Sequence, residues 1–463
     1  MQQPGVVEKL RQGPELLGRV TDLTAWGRVS GATGLAVEID GLNPLLAMGD
    51  RLRLHGRGPD ATVAEVVGFR SGQARAMPLG GLSGIGPGTE VSLCLRASSA
   101  CLPVSDAWLG RVIDPLGQPL DEKGALRAGV PRPVRAPPPL ASRRARLGPR
   151  MALGVSVLGL FTTCRAGQRL GLFAGSGVGK STLLSMLAQG ARCDVVVLAL
   201  VGERGREVRE FIEDDLGPAL SRSVVVVATS DQPPLLRREA AYAAMTVAEY
   251  FRDQGKSVLL LMDSVTRFCL ALREIGLAAG EPPATRGYPP SMFAELPCLL
   301  ERAGPGVGLG TITGLFTVLV DGDDHNEPIA DAVRGILDGH AVLDRRIAEM
   351  GRYPAVDVLR SLSRTVPGCL DTGEARLMRE ARAVLAQAAE LADLVRLGAY
   401  KAGADLEADR ALRLAPAIEA LMQQGRTAHA GSHAGLDPPD VAACPIIDAF
   451  NRLRSILEPD HAT

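Results

Sequence analysis

Residues 170–186 read LGLFAGSGVGKSTLLSM, an apolar run that leads through a glycine-rich loop into a helical pattern. Glycines let successive backbone N–H groups turn toward phosphate oxygens, and the start of the helix adds a partial positive charge. In this order of strand, loop and helix, Lys180 supplies a point charge for the β- and γ-phosphates of a nucleotide, and Ser181 supplies an oxygen to Mg²⁺. Ala174 occupies the first position of the motif, where glycine is usual, and this position mainly shapes the turn. The stretch predicts an ATP and Mg²⁺ site whose binding residues are Gly175, Ser176, Gly177, Val178, Gly179, Lys180, Ser181 and Thr182.

The loop belongs to a longer region, residues 168–365, in which apolar runs alternate with helical segments. Continuous apolar runs are typical of strands buried on both faces, as in a parallel sheet covered by helices. The runs are Leu170–Ala174, Val195–Val201, Val224–Ala228, Val258–Met262 and Leu315–Val320. We therefore expect an α/β P-loop domain with a parallel sheet, which we place at residues 96–372.

The flanking regions predict two further domains. Short alternating stretches separated by Gly, Pro and Asp occupy residues 1–95 and predict a small β-barrel. Residues 373–463 predict a helical domain, because apolar residues recur there every three to four positions. These are Leu377, Ala381, Val384, Ala388, Leu391 and Val395, and, after a Gly- and His-containing loop near 425–437, Ile446, Phe450, Leu453 and Leu457. Residues 131–150 are rich in Pro and Arg, and we interpret them as a solvated linker rather than a basic path for phosphates.

Bulk properties exclude several classes of protein. Lys plus Arg number 51 against 52 for Asp plus Glu, so the charge gives no sign of a nucleic-acid or membrane-surface specialist. No C-x-x-C pair occurs among the 8 cysteines, and the histidines show no metal-binding spacing. Neither a signal peptide nor an apolar run of membrane-spanning length is evident. We expect a cytoplasmic protein without a nucleic-acid partner, and any membrane association should come through partners.

Two acidic residues follow apolar strands and are candidates for catalysis. Asp263 ends the run Ser257–Met262, where a carboxylate can be placed beside Mg²⁺. Glu203 follows the run Val195–Val201, at the end of a strand where ligands of parallel sheets bind. From the pattern alone, Glu203 is either the group that orients the attacking water or part of a charged surface turn.

A third motif carries a family resemblance. The run Pro354-Ala355-Val356-Asp357-Val358-Leu359-Arg360-Ser361-Leu362-Ser363 matches the signature of rotary ATP synthase alpha and beta subunits at every constrained position. Within this superfamily, the chain resembles the type III export ATPases, through Gly202–Val208, Ser230–Pro234, Leu261–Phe268 and Asp321–Leu343. Thr246–Tyr250, Gly255–Asp263 and Ile275–Pro283 are more similar to the flagellar branch than to the virulence branch. The resemblance covers roughly residues 15–425 and implies a RecA-like core and a catalytic role for Glu203.

The resemblance implies further roles for residues at matching positions. Arg204 and Arg267 would reach the γ-phosphate, and Arg364 would act as an arginine finger on the neighbouring subunit of a homohexameric ring. Tyr353 would stack on adenine, and Tyr400 would pack against it from the helical domain; the alternatives are a core aromatic and a helix-end anchor. The implied partners are a peripheral regulator, a coiled-coil stalk protein, membrane proteins of the export gate, and export substrates with their chaperones. These partners imply that the protein associates peripherally with the inner membrane.

Four other classes share parts of this pattern. A non-catalytic subunit of a rotary ATPase would lack the glutamate at position 203. An RNA-translocating hexamer needs a stacking platform in its barrel, and residues 1–95 hold only Trp26 and Phe69 as aromatics. A rotary catalytic subunit carries a strongly acidic helix–turn segment, whereas residues 386–399 contain only Glu390 and Asp393 as acids. The ATPase of a virulence-type secretion system remains the principal alternative to a flagellar export ATPase.

Overall fold

The computed structural model describes residues 24–70, 72–94, 100–127, 129–320, 327–425 and 445–458. Parts of three predicted features lie outside these residues. They are the ends of the barrel region, the beginning of the stretch Asp321–Leu343, and the loop near 425–437 beyond residue 425.

The amino-terminal region forms a closed barrel of six antiparallel strands, which confirms the predicted β-barrel. The strands are β1 (Thr24–Thr33), β2 (Ala36–Asp40), β3 (Arg51–His55), β4 (Thr62–Arg70), β5 (Gln73–Pro78) and β6 (Glu90–Cys94), and their order is β1-β2-β5-β4-β3-β6. Side chains alternate between the interior and solvent, as in β3, where Leu52 and Leu54 are buried and their neighbours are not. The barrel belongs to a compact unit that also includes residues 232–236 and 271–292.

The middle of the chain contains a largely parallel sheet, as predicted. The strands of this region are β7 (Cys101–Val104), β8 (Arg111–Ile113), β9 (Val130–Pro133), β10 (Arg150–Met151), β11 (Cys164–Arg165), β12 (Arg169–Ala174), β13 (Val195–Glu203), β14 (Ser223–Thr229), β15 (Ser257–Asp263), β16 (Gly304–Pro305), β17 (Thr311–Leu319), β18 (Gly339–Leu343) and β19 (Val356–Ser363). The sheet has the order β19-β18-β12-β17-β15-β13-β14-β8, with β16 beside β17; the pairs β7–β9 and β10–β11 are separate. Among the described strand pairs of the large sheet, β18–β19 and β16–β17 run antiparallel and the others run parallel. Every residue of β13 is buried, which explains the unbroken apolar run Val195–Val201 within it.

Helices connect these strands and form the carboxyl-terminal region. They are α1 (Ser156–Phe161), α2 (Lys180–Gly190), α3 (Gly205–Glu210), α4 (Pro234–Asp253), α5 (Val265–Ala279), α6 (Pro290–Leu300), α7 (Pro328–Ile336), α8 (Arg345–Glu349), α9 (Thr372–Arg396), α10 (Leu406–Met422) and α11 (Pro445–Leu457). Among the described residues, none of the helices has both the length and the apolar character needed to cross a membrane.

The carboxyl-terminal helices share a core with the sheet domain. Leu377 of α9, Ile418 of α10 and Phe450 of α11 belong to the same buried cluster as Leu158 of α1. The apolar stripe predicted on α9 is buried only in its first half. Ala388 and Leu391 are partly buried, and Val395 is exposed, so the second half of this helix extends beyond the core.

Four arginines of the predicted linker form ion pairs with acidic residues of the sheet domain and of α9. Arg132 pairs with Asp253 at 2.9 Å, and Arg150 pairs with Glu374 at 2.8 Å. In the same way, Arg135 pairs with Glu295 and Arg144 with Glu301. These pairs hold the linker against the domain, which agrees with a segment that wraps it.

Candidate active site

The predicted phosphate-binding loop joins β12 to α2. Gly177 and Gly179 adopt positive φ values of 76° and 88°, a conformation that side chains disfavour, so glycine is required at both positions. The helix begins at Lys180, which leaves the first backbone N–H groups of α2 available to an anion. Ser181 is exposed at this end of the helix, whereas Val178 of the loop is buried.

Lys180 contacts both predicted carboxylates. Its Nζ lies 2.5 Å from Oδ1 of Asp263 and 3.2 Å from Oε1 of Glu203. Asp263 ends β15 and Glu203 ends β13, and these strands are parallel neighbours, so their carboxyl ends meet at one edge of the sheet. The structure therefore brings together three residues that are far apart in the sequence.

A β-bulge sets the position of Glu203. The register between β13 and β14 shifts between Val201 and Glu203, and the intervening Gly202 has a φ of 68°. A Cβ at Gly202 would lie 3.1 Å from Cδ of Arg267, a tight approach, and the positive φ also favours glycine at this position. Arg267 then pairs with Oε2 of Glu203 at 3.3 Å.

The environment of Glu203 disfavours its ionised form. The residue is only 7% exposed, and burial raises its pKa. The charge of Lys180 opposes this shift, while the carboxylate of Asp263 adds to it. A buried carboxylate with a raised pKa at the end of a strand is characteristic of a group that handles protons or water.

Thr317 is a site residue that the sequence did not reveal. It lies on β17, between the loop strand β12 and the acid-bearing strand β15. Its hydroxyl lies 2.7 Å from Oδ1 of Asp263 and 3.2 Å from the carbonyl oxygen of Met262, and it is fully buried. The only sequence signal is one hydroxyl-bearing residue within the apolar run Leu315–Val320.

The ring of Tyr353 lies against the loop at Gly179. A Cβ at Gly179 would lie 3.3 Å from Cδ1 and Cε1 of the Tyr353 ring, and the ring is 41% exposed. An exposed aromatic face beside a phosphate loop is suited to a planar base.

Arg345 is a second residue at the loop that sequence reasoning missed. It donates a hydrogen bond of 3.0 Å to the carbonyl oxygen of Ser176.

Arg204 and Tyr400, two other residues with implied roles, lie apart from the Lys180 cluster. Arg204 is directed to solvent, with its side chain 78% exposed, and pairs with Glu207. The hydroxyl of Tyr400 donates a 2.8 Å hydrogen bond to Asp409, and burial raises the pKa of this phenol to about 12. No hydrogen bond or ring contact joins Tyr400 to Tyr353 in the described part of the chain.

Arg364 is exposed immediately after β19. Its backbone N–H donates to the carbonyl oxygen of Asp338 at 3.0 Å. Its guanidinium forms no hydrogen bond or ion pair with any other residue that the structure describes. The side chain is therefore available to a group outside this subunit.

Family models match three parts of the chain. The beta-barrel domain of the ATP synthase alpha/beta family matches residues 29–93, and the nucleotide-binding domain of that family matches residues 154–363. A model described as the type III secretion system EscN ATPase C-terminal domain matches residues 371–436.

Individual proteins are similar over almost the whole chain. The flagellum-specific ATP synthase of Caulobacter vibrioides is 52% identical over 96% of this chain and 98% of its own length. The type 3 secretion system ATPase of Xanthomonas euvesicatoria is 47% identical over 86% of this chain and 90% of its own. The assembled ATPase EscN of enteropathogenic Escherichia coli, in complex with its central stalk EscO, has a TM-score of 0.80 and 38% identity, over 93% of this chain and all of that one. The chain belongs to the ATP synthase alpha/beta family, within the branch of flagellum-specific and type III secretion ATPases.

Proposed function

We propose that this chain hydrolyses Mg-ATP to drive flagellar type III protein export, and that it works as a homohexameric ring. The observation that carries the enzymatic part is the cluster of Lys180, Glu203, Asp263 and Arg267 beside the phosphate-binding loop. It combines a cation for phosphate, an acid for the metal and a buried base at one edge of the sheet. The 52% identity to a flagellum-specific ATP synthase supports the flagellar assignment.

The residues of the site fit a magnesium ion that arrives with the nucleotide. Ser181 and Asp263 offer a hydroxyl and a carboxylate oxygen, and Mg²⁺ is usually held by few protein oxygens together with water and phosphates. Consistent with such a small donor set, no cluster of three or more His, Cys, Asp or Glu side chains suited to a metal occurs among the described residues. Mg²⁺ would neutralise charge on the β- and γ-phosphate oxygens.

Lys180 exchanges partners when the nucleotide binds. The γ-phosphate competes with Asp263 and Glu203 for its ammonium group, because all three are anions within reach of the loop. Glu203, freed from Lys180, remains paired with Arg267 and orients the attacking water. The side chains of Lys180 and Arg267 then stabilise the charge that develops on the phosphoryl group, with Arg204 as a further cation after rotation toward the site.

Arg364 completes the site of the neighbouring subunit. Its guanidinium is exposed and offers a planar fork of donors to the γ-phosphate of that neighbour. Tyr353 stacks on adenine, and Tyr400 approaches the base from the helical domain. EscN, to which the chain is similar, is described as an assembled ATPase, which supports the ring.

The same comparison supports a coiled-coil stalk protein as a partner, since that structure contains EscN with its central stalk EscO. We further propose a peripheral regulator, the membrane proteins of the export gate, and export substrates with their chaperones as partners. The protein would act in the cytoplasm and reach the inner membrane through them.

The enzymatic proposal is tested by ATP hydrolysis with Mg²⁺. Lys180→Ala should lose about 10²-fold or more in turnover and bind ATP more weakly, since a preorganised charge is worth that much. Lys256→Ala, which removes an exposed lysine elsewhere in the domain, serves as the control. Turnover of Lys180→Ala near that of the wild type would contradict the assignment of the loop.

The cellular role is tested in a strain that lacks this gene. The wild-type chain should restore motility and the export of flagellar proteins, whereas Lys180→Ala should restore neither. The 47% identity to a type 3 secretion system ATPase makes the virulence-type system the second candidate. Normal motility with a loss of secreted virulence proteins would favour that system.

A further inference from the structure

Gln168 lies at the entrance to β12 and is fully buried. Its side chain contacts both residues that flank Arg364. Nε2 donates to Oγ of Ser363 at 3.0 Å, and Oε1 accepts from Oγ1 of Thr365 at 2.6 Å. Oε1 also accepts from the backbone N–H of Arg165, a group that can only donate, which fixes the orientation of the amide.

Other bonds hold the same short segment. Oγ of Ser363 donates to the carbonyl oxygen of Thr163 at 2.8 Å, and the N–H of Arg364 donates to the carbonyl oxygen of Asp338. The carboxylate of Asp338 in turn accepts from the backbone N–H of Arg169, the first residue of β12, at 3.0 Å. The backbone of Arg364 is therefore fixed on both sides, while its side chain is exposed and unpaired among the described residues.

We propose that Gln168 is a positioning residue for Arg364 and presents this arginine to the active site of the neighbouring subunit. The inference rests on the proposed function, in which Arg364 acts across the subunit boundary. A long side chain that must reach a phosphate in another chain gains precision when its backbone cannot move. The primary amide of Gln168 donates through Nε2 and accepts through Oε1, so one buried side chain holds Ser363 and Thr365 at once.

A rival role for Gln168 follows from its position in the chain. It immediately precedes β12, which carries the phosphate-binding loop at its other end. If Gln168 supported the loop, its loss would damage the site of its own subunit. If it positions Arg364, its loss damages the site of the neighbour, and mixed rings separate these two effects.

The experiment uses two inactive full-length chains. Lys180→Ala has no functional loop but keeps Arg364, and Arg364→Ala keeps its loop but lacks the arginine. Mixed rings should regain part of the activity, at interfaces that join an intact loop to an intact arginine. Gln168→Met, which preserves the approximate shape but cannot form these hydrogen bonds, is then added to one chain at a time.

We expect Gln168→Met to lower the recovered activity by about 10-fold when it is in the Lys180→Ala chain, with an unchanged half-saturation constant for ATP. In the Arg364→Ala chain it should change the recovered activity by less than about 2-fold. Gln189→Met, which removes another partly buried amide, should be without effect in either chain. Thr365→Val removes only the hydroxyl that donates to Gln168, and should show the same asymmetry if Gln168→Met fails to fold.

The remaining outcomes overturn the inference in distinguishable ways. Equal losses from both chains, or a loss only from the Arg364→Ala chain, would show that Gln168 supports the fold or its own loop. Absence of recovery in the mixture without Gln168→Met, while mixed rings form, would overturn the role of Arg364 across the boundary and the positioning role with it.

Discussion

Lys180 Nζ lies 2.5 Å from Asp263 Oδ1, so the cation of the phosphate-binding loop is paired with the carboxylate assigned to Mg²⁺. The hydroxyl of Thr317 lies 2.7 Å from the same oxygen, and Oε1 of Glu203 lies 3.2 Å from Nζ of Lys180. In the proposed mechanism, ATP displaces these carboxylates from Lys180 when it binds. This proposed exchange would couple occupation of the loop to the release of Asp263 and Glu203.

Glu203→Gln should bind ATP with nearly the affinity of the wild type and lose hydrolysis by about 10²–10⁴-fold, the usual scale for a missing general base. The substitution preserves shape but removes the charge that polarises water. Turnover and nucleotide binding measured on the same preparation test this. Glu213→Gln, which changes an exposed glutamate paired with Arg209, is the matched control. A loss of ATP affinity parallel to the loss of turnover would show that Glu203 is structural.

The raised pKa of Glu203 makes stability depend on pH. Burial, the largest cause, makes the folded chain hold this proton more tightly than the unfolded chain does. The resulting stabilisation is present below the ordinary glutamate pKa of 4.5 and is lost as the pH rises through the raised value. Gln at this position cannot ionise. The melting temperature of Glu203→Gln, relative to that of the wild type without ATP, should therefore increase by roughly 1–3 °C from pH 4.5 to neutral pH.

The control for this measurement is again Glu213→Gln. Its melting temperature relative to that of the wild type should not increase in this way from pH 4.5 to neutral pH. A difference between wild type and Glu203→Gln that stays constant with pH, or that decreases, would contradict a raised pKa at Glu203.

Thr317→Val should lower turnover by roughly 10-fold and raise the Mg²⁺ concentration needed for half-maximal activity, because Asp263 loses a hydrogen bond that fixes its carboxylate. ATP hydrolysis measured against Mg²⁺ concentration tests both effects. Thr311→Val, at the start of the same strand, is the matched control. Equal effects of the two substitutions would mean that the strand tolerates valine at neither position. Thr317 would then have no specific role in positioning the carboxylate of Asp263.

Tyr353→Ala should raise the half-saturation constant for ATP more than it lowers turnover, because stacking on adenine is the same in the ground and transition states. Tyr353→Phe keeps the ring and should restore the wild-type constant. Steady-state kinetics of the two variants decide the point. Reduced turnover at an unchanged half-saturation constant would exclude the stacking role.

The sequence by itself determined the α/β core, the loop and the two acids. Each depends on a local pattern: glycines before Lys180, and apolar runs that end in Asp263 or precede Glu203. In a parallel sheet such runs place their carboxyl ends at one edge, so the cluster follows from pattern and fold class together.

Only the tertiary structure decided which side chains surround these residues. Thr317 contacts Asp263 because β17 lies beside β15, and sequence order does not specify that neighbour. Gln168 reaches the residues beside Arg364 although nearly 200 positions separate them. Arg204 pairs with Glu207, and the hydroxyl of Tyr400 donates to Asp409. The direction of a long side chain depends on the charges around it, and sequence periodicity does not specify it. Strand order and side-chain direction are set by packing across the whole domain, so the spacing of residues along the chain does not specify either of them.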